Sequence, residues 1–471
     1  MNDMPVFNVL DEIIDKDIVS FHVPGHKKGS IFEKVNYRKY KDKIGNMDTT
    51  EIPGTDNLHS PEGVIKKSQE IASNVFKSDY TFFLVNGSTC GIYASIMSVC
   101  NPKDKIIVNR DCHQSVVNSC ILGDIEPIYV NPNIDLNLGI SLGVSYEEIK
   151  KVIDNNKDAK AVLITSPTYY GVSLDVKKIA DYVHSKGKIL IVDEAHGAHL
   201  GLSDKLPKKS LELGADIVIQ STHKTLPSFT QSSMLHVKEK RVNIDKLKSF
   251  LKIVQSSSPS YILMSSLEMA VNIYINYGKE LMNELIENIN SVINFIDNLK
   301  NIKVFKYKHQ DITKLYIITK ELKKSGYEVE NILRDKYNIQ VELSNSYGIL
   351  LVCSIGNTNN DFKKLKKALN EIDNEIGNEN LIEINYPTNI PKKILNPRDA
   401  FYLDKKSIRI EESIGKICGE YIIPYPPGIS ILSPGEEITK EVIDYIKKSK
   451  EIGMNITGIK DTNLNYIQVI D

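Results

Sequence analysis

Residues 215–237 read "ADIVIQSTHKTLPSFTQSSMLHV". Two apolar runs flank a loop crowded with hydroxyls, and His223 and Lys224 stand side by side within it. The runs "DIVIQ" (216–220) and "SSMLHV" (232–237) show no steady polar alternation, which is the pattern of strands buried on both faces. Five more runs of this kind precede them: "YTFFLV" (80–85), "KIIVN" (105–109), "PIYV" (127–130), "AVLIT" (161–165) and "KILIVD" (188–193). Amphipathic stretches separate several of them. One is "SYEEIKKVIDNN", whose Ser145 and Glu148 have capping-box spacing. Strands alternating with helices predict an α/β fold with a mostly parallel seven-stranded sheet covered on both sides. In such sheets a ligand lies off the carboxyl ends of the strands, where the hydroxyl-rich loop falls.

Outward from this region the texture changes. Residues 265–300 read as helical throughout apart from an interior glycine, and connect to a second unit that mixes strands ("KLYIIT", "YGILLVCSI") with charged helices ("NDFKKLKKALNEIDNEI"). The second unit is therefore a smaller α+β domain. The Pro-rich passage 421–439 cannot be regular helix and is expected as an ordered loop. These readings divide the chain into an N-terminal arm (1–60), a large domain (61–300) and a C-terminal domain (301–471).

The 471 residues are 41% hydrophobic and 25% charged, with a net charge of -1. No overall basic field invites nucleic acid or an anionic membrane. The N-terminus lacks the pattern of a secretory signal, and no apolar run reaches the roughly 18 residues of a spanning helix. The six cysteines form no CxxC pair, and buried free thiols are the simpler reading. The expectation is a cytoplasmic, reduced protein.

Three segments carry chemistry. In "VNGSTCGIYASIM" (85–97) a strand ends, Gly87 permits a tight turn, and Ser88 and Thr89 open an apolar helix. Free amides and hydroxyls at a helix mouth seat a phosphate, although a plain helix cap explains the same residues. In "KILIVDEAHGAHLG" (188–201) Asp193 ends a strand, where it caps a helix or meets a ligand cation. His196 and His199 follow at i, i+3 spacing, but no further ligand cluster accompanies them and no metal is expected. Lys224 also follows a strand end, with Ser221 and His223 beside it. A lysine in a dry site loses basicity and becomes a nucleophile toward carbonyls; a solvated loop lysine is the bland alternative. Together these parts suit pyridoxal 5'-phosphate, which needs an amine for its aldehyde, a carboxylate for its ring nitrogen and a polar cup for its phosphate.

On the motifs "FHVPGHKKG" (21–29), "NLHSPEG" (57–63), "FFLVNGST" (82–89), "SPTYYGV" (166–172), "VDEAHGAHL" (192–200), "STHK" with "TQSSMLH" (221–236) and "YPPGISILSPGE" (425–436), the chain resembles the ornithine/lysine/arginine decarboxylase family of fold-type-I pyridoxal-phosphate enzymes, in its short form. The resemblance runs through nearly the whole length and leaves no room for the N-terminal receiver-like domain of the long relatives. It implies an aspartate-aminotransferase-like fold and decarboxylation of a basic amino acid for polyamine metabolism. Arginine, giving agmatine, is favoured over lysine and ornithine. It implies that Lys224 holds the cofactor aldehyde and that Asp193 pairs with the ring nitrogen. Ser88, Thr89, Ser221 and His223 are implied to hold the phosphate, and His113 in "NRDCHQS" to stack on the ring. His196 lies beside the cofactor, and Glu412 matches a family glutamate offered for the substrate's distal cation; a solvated surface position is the alternative for Glu412. Ser256 or Ser257 in "QSSSPSY" is expected to reach a partner subunit, and "PGHKKG" to pack on the neighbour, giving a homodimer or higher homo-oligomer. Thr55 and Ser430 depart from common family residues. Two rivals remain at this level: an aminotransferase or lyase using Arg398 or Arg409, and a non-catalytic polyamine-binding regulator.

Overall fold

The computed structural model describes residues 4–377, 387, 389–425, 430–451 and 454–470. Strand β1 (Val19–Phe21) precedes the central sheet, whose members are β2 (Tyr80–Leu84), β3 (Lys105–Asn109) and β4 (Glu126–Val130); then, after a hairpin of β5 (Asn133–Asp135) and β6 (Ile140–Gly143), β7 (Ala161–Thr165), β8 (Ile189–Asp193), β9 (Ile217–Gln220) and β10 (Ser233–Val237). The sheet has seven strands in the order β2-β10-β9-β8-β7-β3-β4. Strands β9, β8, β7, β3 and β4 run parallel, and β10 is antiparallel to both β2 and β9. The fold is the mostly parallel α/β sheet that the apolar runs predicted.

Both faces of the sheet are covered, which explains the unbroken apolar runs. Ile106, Val108, Leu163, Ile191 and Ile219 pack on one side with Ile92 and Ile96 of the helix Gly87–Val99. Ile107, Val162, Ile164, Leu190 and Val218 point the other way, toward the helices Tyr146–Asn155 and Val176–Ser185. Ser145 caps the first of these by accepting from the Glu148 N–H. The helix Gly87–Val99 lies so close to the sheet that a Cβ on Gly91 would come within 2.7 Å of Leu84 Cδ1.

The long helical stretch is two helices, Tyr261–Asn276 and Gly278–Ile296, where one interrupted run was expected. The chain leaves helical geometry at Tyr277, with φ -130°. Gly278 then packs where a Cβ would meet Leu202 at 2.5 Å. Beyond lies a four-stranded antiparallel sheet in the order β11-β12-β15-β14: β11 (Lys303–Val304), β12 (Lys314–Ile318), β14 (Leu343–Asn345) and β15 (Gly348–Val352). The helices Gly326–Tyr337 and Asn359–Asp373 contribute to its core. In the Pro-rich passage, Ile423–Tyr425 is a short strand paired with Asn455–Thr457, while residues 426–429 lie outside the described ones. No described helix is long and apolar enough to cross a membrane.

Part of the N-terminal segment is held by its own chain. Strand β1 pairs in parallel with β13 (Ile339–Val341). In "PGHKKG", the Gly25 N–H donates to the His223 carbonyl at 2.7 Å, Ser354 Oγ donates to the Gly25 carbonyl at 2.6 Å, and Lys27 Nζ donates to the Val352 carbonyl at 2.9 Å. The motif is wedged between the Lys224 turn and the second sheet.

Candidate active site

A cavity of about 240 Å³ opens at the carboxyl ends of the central strands. Ser88, Thr89, His113, Asp193, His196, Ser221, His223 and Lys224 all line it. Each is there for a local reason. Ser88 and Thr89 lie in the first turn of the helix that follows β2, after Gly87 at φ +74°. His113 is the N-cap of the helix Gln114–Gly123, its Nδ1 accepting from the Ser115 N–H at 3.2 Å. Asp193 is the last residue of β8. Ser221 stands at the N-cap position of, and His223 and Lys224 occupy, the single helical turn Thr222–Thr225 after β9.

Hydroxyls from three elements converge at one end. Ser88 Oγ is 2.8 Å from Ser221 Oγ and donates to Ser233 Oγ at 3.1 Å. Nearby, His223 Nδ1 meets the Ser232 carbonyl at 2.9 Å. At the other end, Lys224 Nζ lies 3.0 Å from His196 Nε2. The His196 ring packs on Tyr169, with centroids 4.4 Å apart, and its Nδ1 is buried without a hydrogen-bond partner. Tyr169 OH in turn donates to Glu342 Oε1 at 2.6 Å, and Glu342 Oε2 accepts from the Val23 N–H at 2.8 Å.

Burial governs the electrostatics. It lowers the Lys224 amine, with Asp193 and Glu342 opposing and Lys314 adding to the effect. Burial first, then the charge of Lys224, holds His196 well below the ordinary histidine range, so its ring is neutral. Burial also lowers His223. Asp193 is 4% exposed and is raised by burial, against the pull of His113 and Lys224. Its carboxylate accepts from the Ala195 N–H at 3.1 Å, and no ion pair reaches it among the described residues. The adjacent Glu194 is spoken for elsewhere, accepting from the Ser210 N–H at 2.8 Å and from Gln220 Nε2 at 2.6 Å.

Other residues named from the sequence lie apart. Glu412 is exposed on the turn Ile410–Glu412 and does not line the cavity. Ser256 and Ser257 are exposed, and the Ser256 N–H donates to Asn86 Oδ1 at 3.2 Å beside the helix mouth of their own chain. His196 and His199 take different partners: His199 Nε2 meets Asp311 Oδ2 at 3.0 Å. Neither arginine of the aminotransferase reading is in the cavity. Arg398 donates to the carbonyls of Ile121 and Leu122, both at 3.0 Å, and Arg409 is exposed.

Sequence reasoning passed over Asp111, Ser141, Thr168, Tyr169 and Tyr170, which also line the cavity. Asp111 accepts from Ser141 Oγ at 2.5 Å and from Asn109 Nδ2 at 2.7 Å, and burial raises it. Asp111 and Tyr169 stood inside motifs already singled out. Ser141 carried no signal, because it reaches the wall only through the β5–β6 hairpin.

Comparison with known proteins decides the family. A model of the Orn/Lys/Arg decarboxylase major domain matches residues 4–319, and a model of the family's C-terminal domain matches residues 381–463. The chain belongs to the Orn/Lys/Arg decarboxylase family. Within this decarboxylase family it is 36% identical to an arginine decarboxylase of Bacillus subtilis over 100% of this chain and 98% of that relative. It is 23% identical to a lysine decarboxylase of Hafnia alvei, over 97% of this chain and 76% of that relative. The crystal structure of a lysine decarboxylase from Francisella novicida superposes with a TM-score of 0.78 at 23% identity, covering 99% of this chain and 81% of that one.

Proposed function

We propose that the chain is a pyridoxal-phosphate-dependent decarboxylase of a basic amino acid, with arginine the favoured substrate and agmatine its product. The observation that carries this reading is the Lys224–His196 contact, gathered with Asp193 and the Ser88–Ser221 hydroxyls in one cavity of a decarboxylase-family chain. The lean to arginine rests on the relatives at 36% identity that bear that name.

The residues present fit the cofactor. A buried carboxylate without an ion-pair partner awaits a cation, as Asp193 does, and the hydroxyls at the helix mouth suit a phosphate. The unpartnered His196 Nδ1 is a further polar group in need of a ligand. When bound, pyridoxal phosphate supplies an aldehyde that captures amines and a ring that takes up the electron pair left as carbon dioxide departs. Lys224 offers the amine for that aldehyde, and its lowered basicity keeps more of it in the nucleophilic form. Asp193 would pair with the ring nitrogen. Ser88, Thr89, Ser221 and His223 would hold the phosphate, and His113 would lie against the ring. Neutral His196 accepts a hydrogen bond from the Lys224 amine through Nε2 and orients it. The cavity walls would orient the substrate and so favour the loss of one of its bonds over the others. Glu412, a candidate for the distal cation, is exposed and outside this cavity, as the solvated alternative has it.

The test offers the cofactor-loaded protein an equimolar mixture of arginine, lysine and ornithine and counts agmatine, cadaverine and putrescine by mass spectrometry. A dominant amine supports the reading and names the substrate. No amine, from protein whose visible absorbance shows the cofactor bound, overturns it.

A further inference from the structure

Behind the cavity lies a second charged cluster. Lys314, at the start of β12, is 0% exposed, and so is Asp311. An ammonium has three N–H donors, and Lys314 Nζ uses them on Asp311 Oδ2 at 3.2 Å, Thr313 Oγ1 at 3.3 Å and the backbone carbonyl of His196 at 3.3 Å. Asp311 is further held by the Thr313 N–H and hydroxyl, at 3.0 and 2.8 Å, and by His199 Nε2 at 3.0 Å. The fit is close: a Cβ on Gly171 would come within 2.9 Å of Lys314 Cβ. Burying two charges costs several kcal/mol per ion, and a well-packed apolar pair is often as stable. Stability alone therefore does not account for the pair.

Its placement does. The cluster joins the second sheet to the turn that follows Asp193 at the end of β8 and carries His196, and Lys314 grips that turn at the residue whose ring touches Lys224. We propose that Lys314 is a positioning residue for the Lys224 amine: it holds the His196 carbonyl so that the His196 ring stays against Lys224, and it sets a positive charge behind them. The proposal rests on the reading of Lys224 as the amine that takes the cofactor. The groups facing Lys224 are Asp193 from β8, His196 from the following turn, His113 from its helix, His223 on its own turn, Glu342 and Lys314. Those facing Lys314 are Asp311, His199, His196, Lys27, Cys353 and Lys224 itself. Asp311 partly offsets the charge of Lys314, but its contacts are within the cluster, whereas the ammonium reaches His196 directly.

The experiment titrates the visible absorbance of the cofactor-loaded protein with pH, in the wild type, in Lys314→Met and in the double variant Lys314→Met/Asp311→Asn. Removing a nearby positive charge favours the protonated state of the Lys224 nitrogen, so the midpoint of the absorbance change moves to higher pH in Lys314→Met and, because Asp311 is the more distant charge, by a smaller amount in the same direction in the double variant. If Lys314→Met does not fold, because Asp311 is left buried and alone, the double variant removes that charge too and carries the test. A midpoint equal to that of the wild type, in a variant with normal cofactor content and melting temperature, overturns the proposal. Turnover is not the readout. A wild type that binds cofactor but releases no amine from basic amino acids would overturn the decarboxylase reading while leaving the midpoint comparison intact.

Discussion

On the proposed reading Lys224 and Asp193 divide the work at the cofactor, and their substitutions have different signatures. Lys224→Ala removes the amine at 3.0 Å from His196, so the protein should lose the visible absorbance of a lysine-held aldehyde and turnover should fall by at least about 10²-fold. Asp193→Asn keeps the shape but removes the charge proposed to pair with the ring nitrogen. Turnover should drop by about 10²–10³-fold, the scale of losing one well-placed electrostatic group, with the absorbance still present. Stopped-assay rates and a spectrum of each variant check both, and an Asp193→Asn enzyme of wild-type rate would remove Asp193 from the cofactor's partners. Both residues stood out in the sequence because Asp193 ends an apolar strand and Lys224 follows the end of another by four residues. Asp111 was harder to see, since a carboxylate among polar neighbours has no periodicity to betray that it faces a cavity.

At the scale of elements, two joints hold the site together. The first is the "PGHKKG" turn beneath Lys224. Gly25→Ala would place a Cβ 2.7 Å from the Leu226 carbonyl oxygen and 2.9 Å from the Thr225 carbonyl carbon. Both are backbone atoms, so the Lys224 turn must move; the expected cost is about 1–3 kcal/mol, with faster cofactor release. A melting curve and the rate of cofactor loss on dilution measure the two effects. The second joint is the buried pair of Arg110 and Glu436, bonded at 2.5 and 2.7 Å. It ties the C-terminal region to the loop between β3 and the His113 helix. Glu436→Ala strands the buried guanidinium and should destabilise by about 3–5 kcal/mol, read as a lower denaturation midpoint; an unchanged midpoint would mean that Arg110 finds water or another acceptor. Neither joint is visible in a local stretch of sequence, because Gly25 and the Lys224 turn, like Arg110 and Glu436, are brought together from distant parts of the chain.

For the molecule as a whole, buried histidines set a sensitivity to acid. Burial pushes His236 down to about 3 and His26 to about 4. The unfolded chain protonates its histidines near the ordinary value of about 6.5. Below that pH the unfolded state binds more protons, so this stability is complete at neutral pH and is lost as pH falls toward the folded values. Glu194, pushed up to about 7, acts in the opposite sense between its ordinary range and 7. The comparison that isolates the histidine is therefore His236→Gln against wild type. The variant should lose less stability between pH 6.5 and 4, by an amount on the order of a few kcal/mol, in denaturant melts at fixed ionic strength. Parallel pH profiles would show that His236 is not protonated on unfolding. The same division between local and distant runs through the whole molecule. The sequence by itself determined the central sheet, since strands buried on both faces must be continuously apolar, and it determined the polar groups that those strands deliver at their carboxyl ends. Only the tertiary structure decided that Glu412 stays at the surface, that "PGHKKG" lies under its own Lys224, and that Lys314 grips a carbonyl 118 residues away. Those outcomes depend on where two sheets and an N-terminal segment come to rest against one another, and no period in a single segment encodes a contact with another.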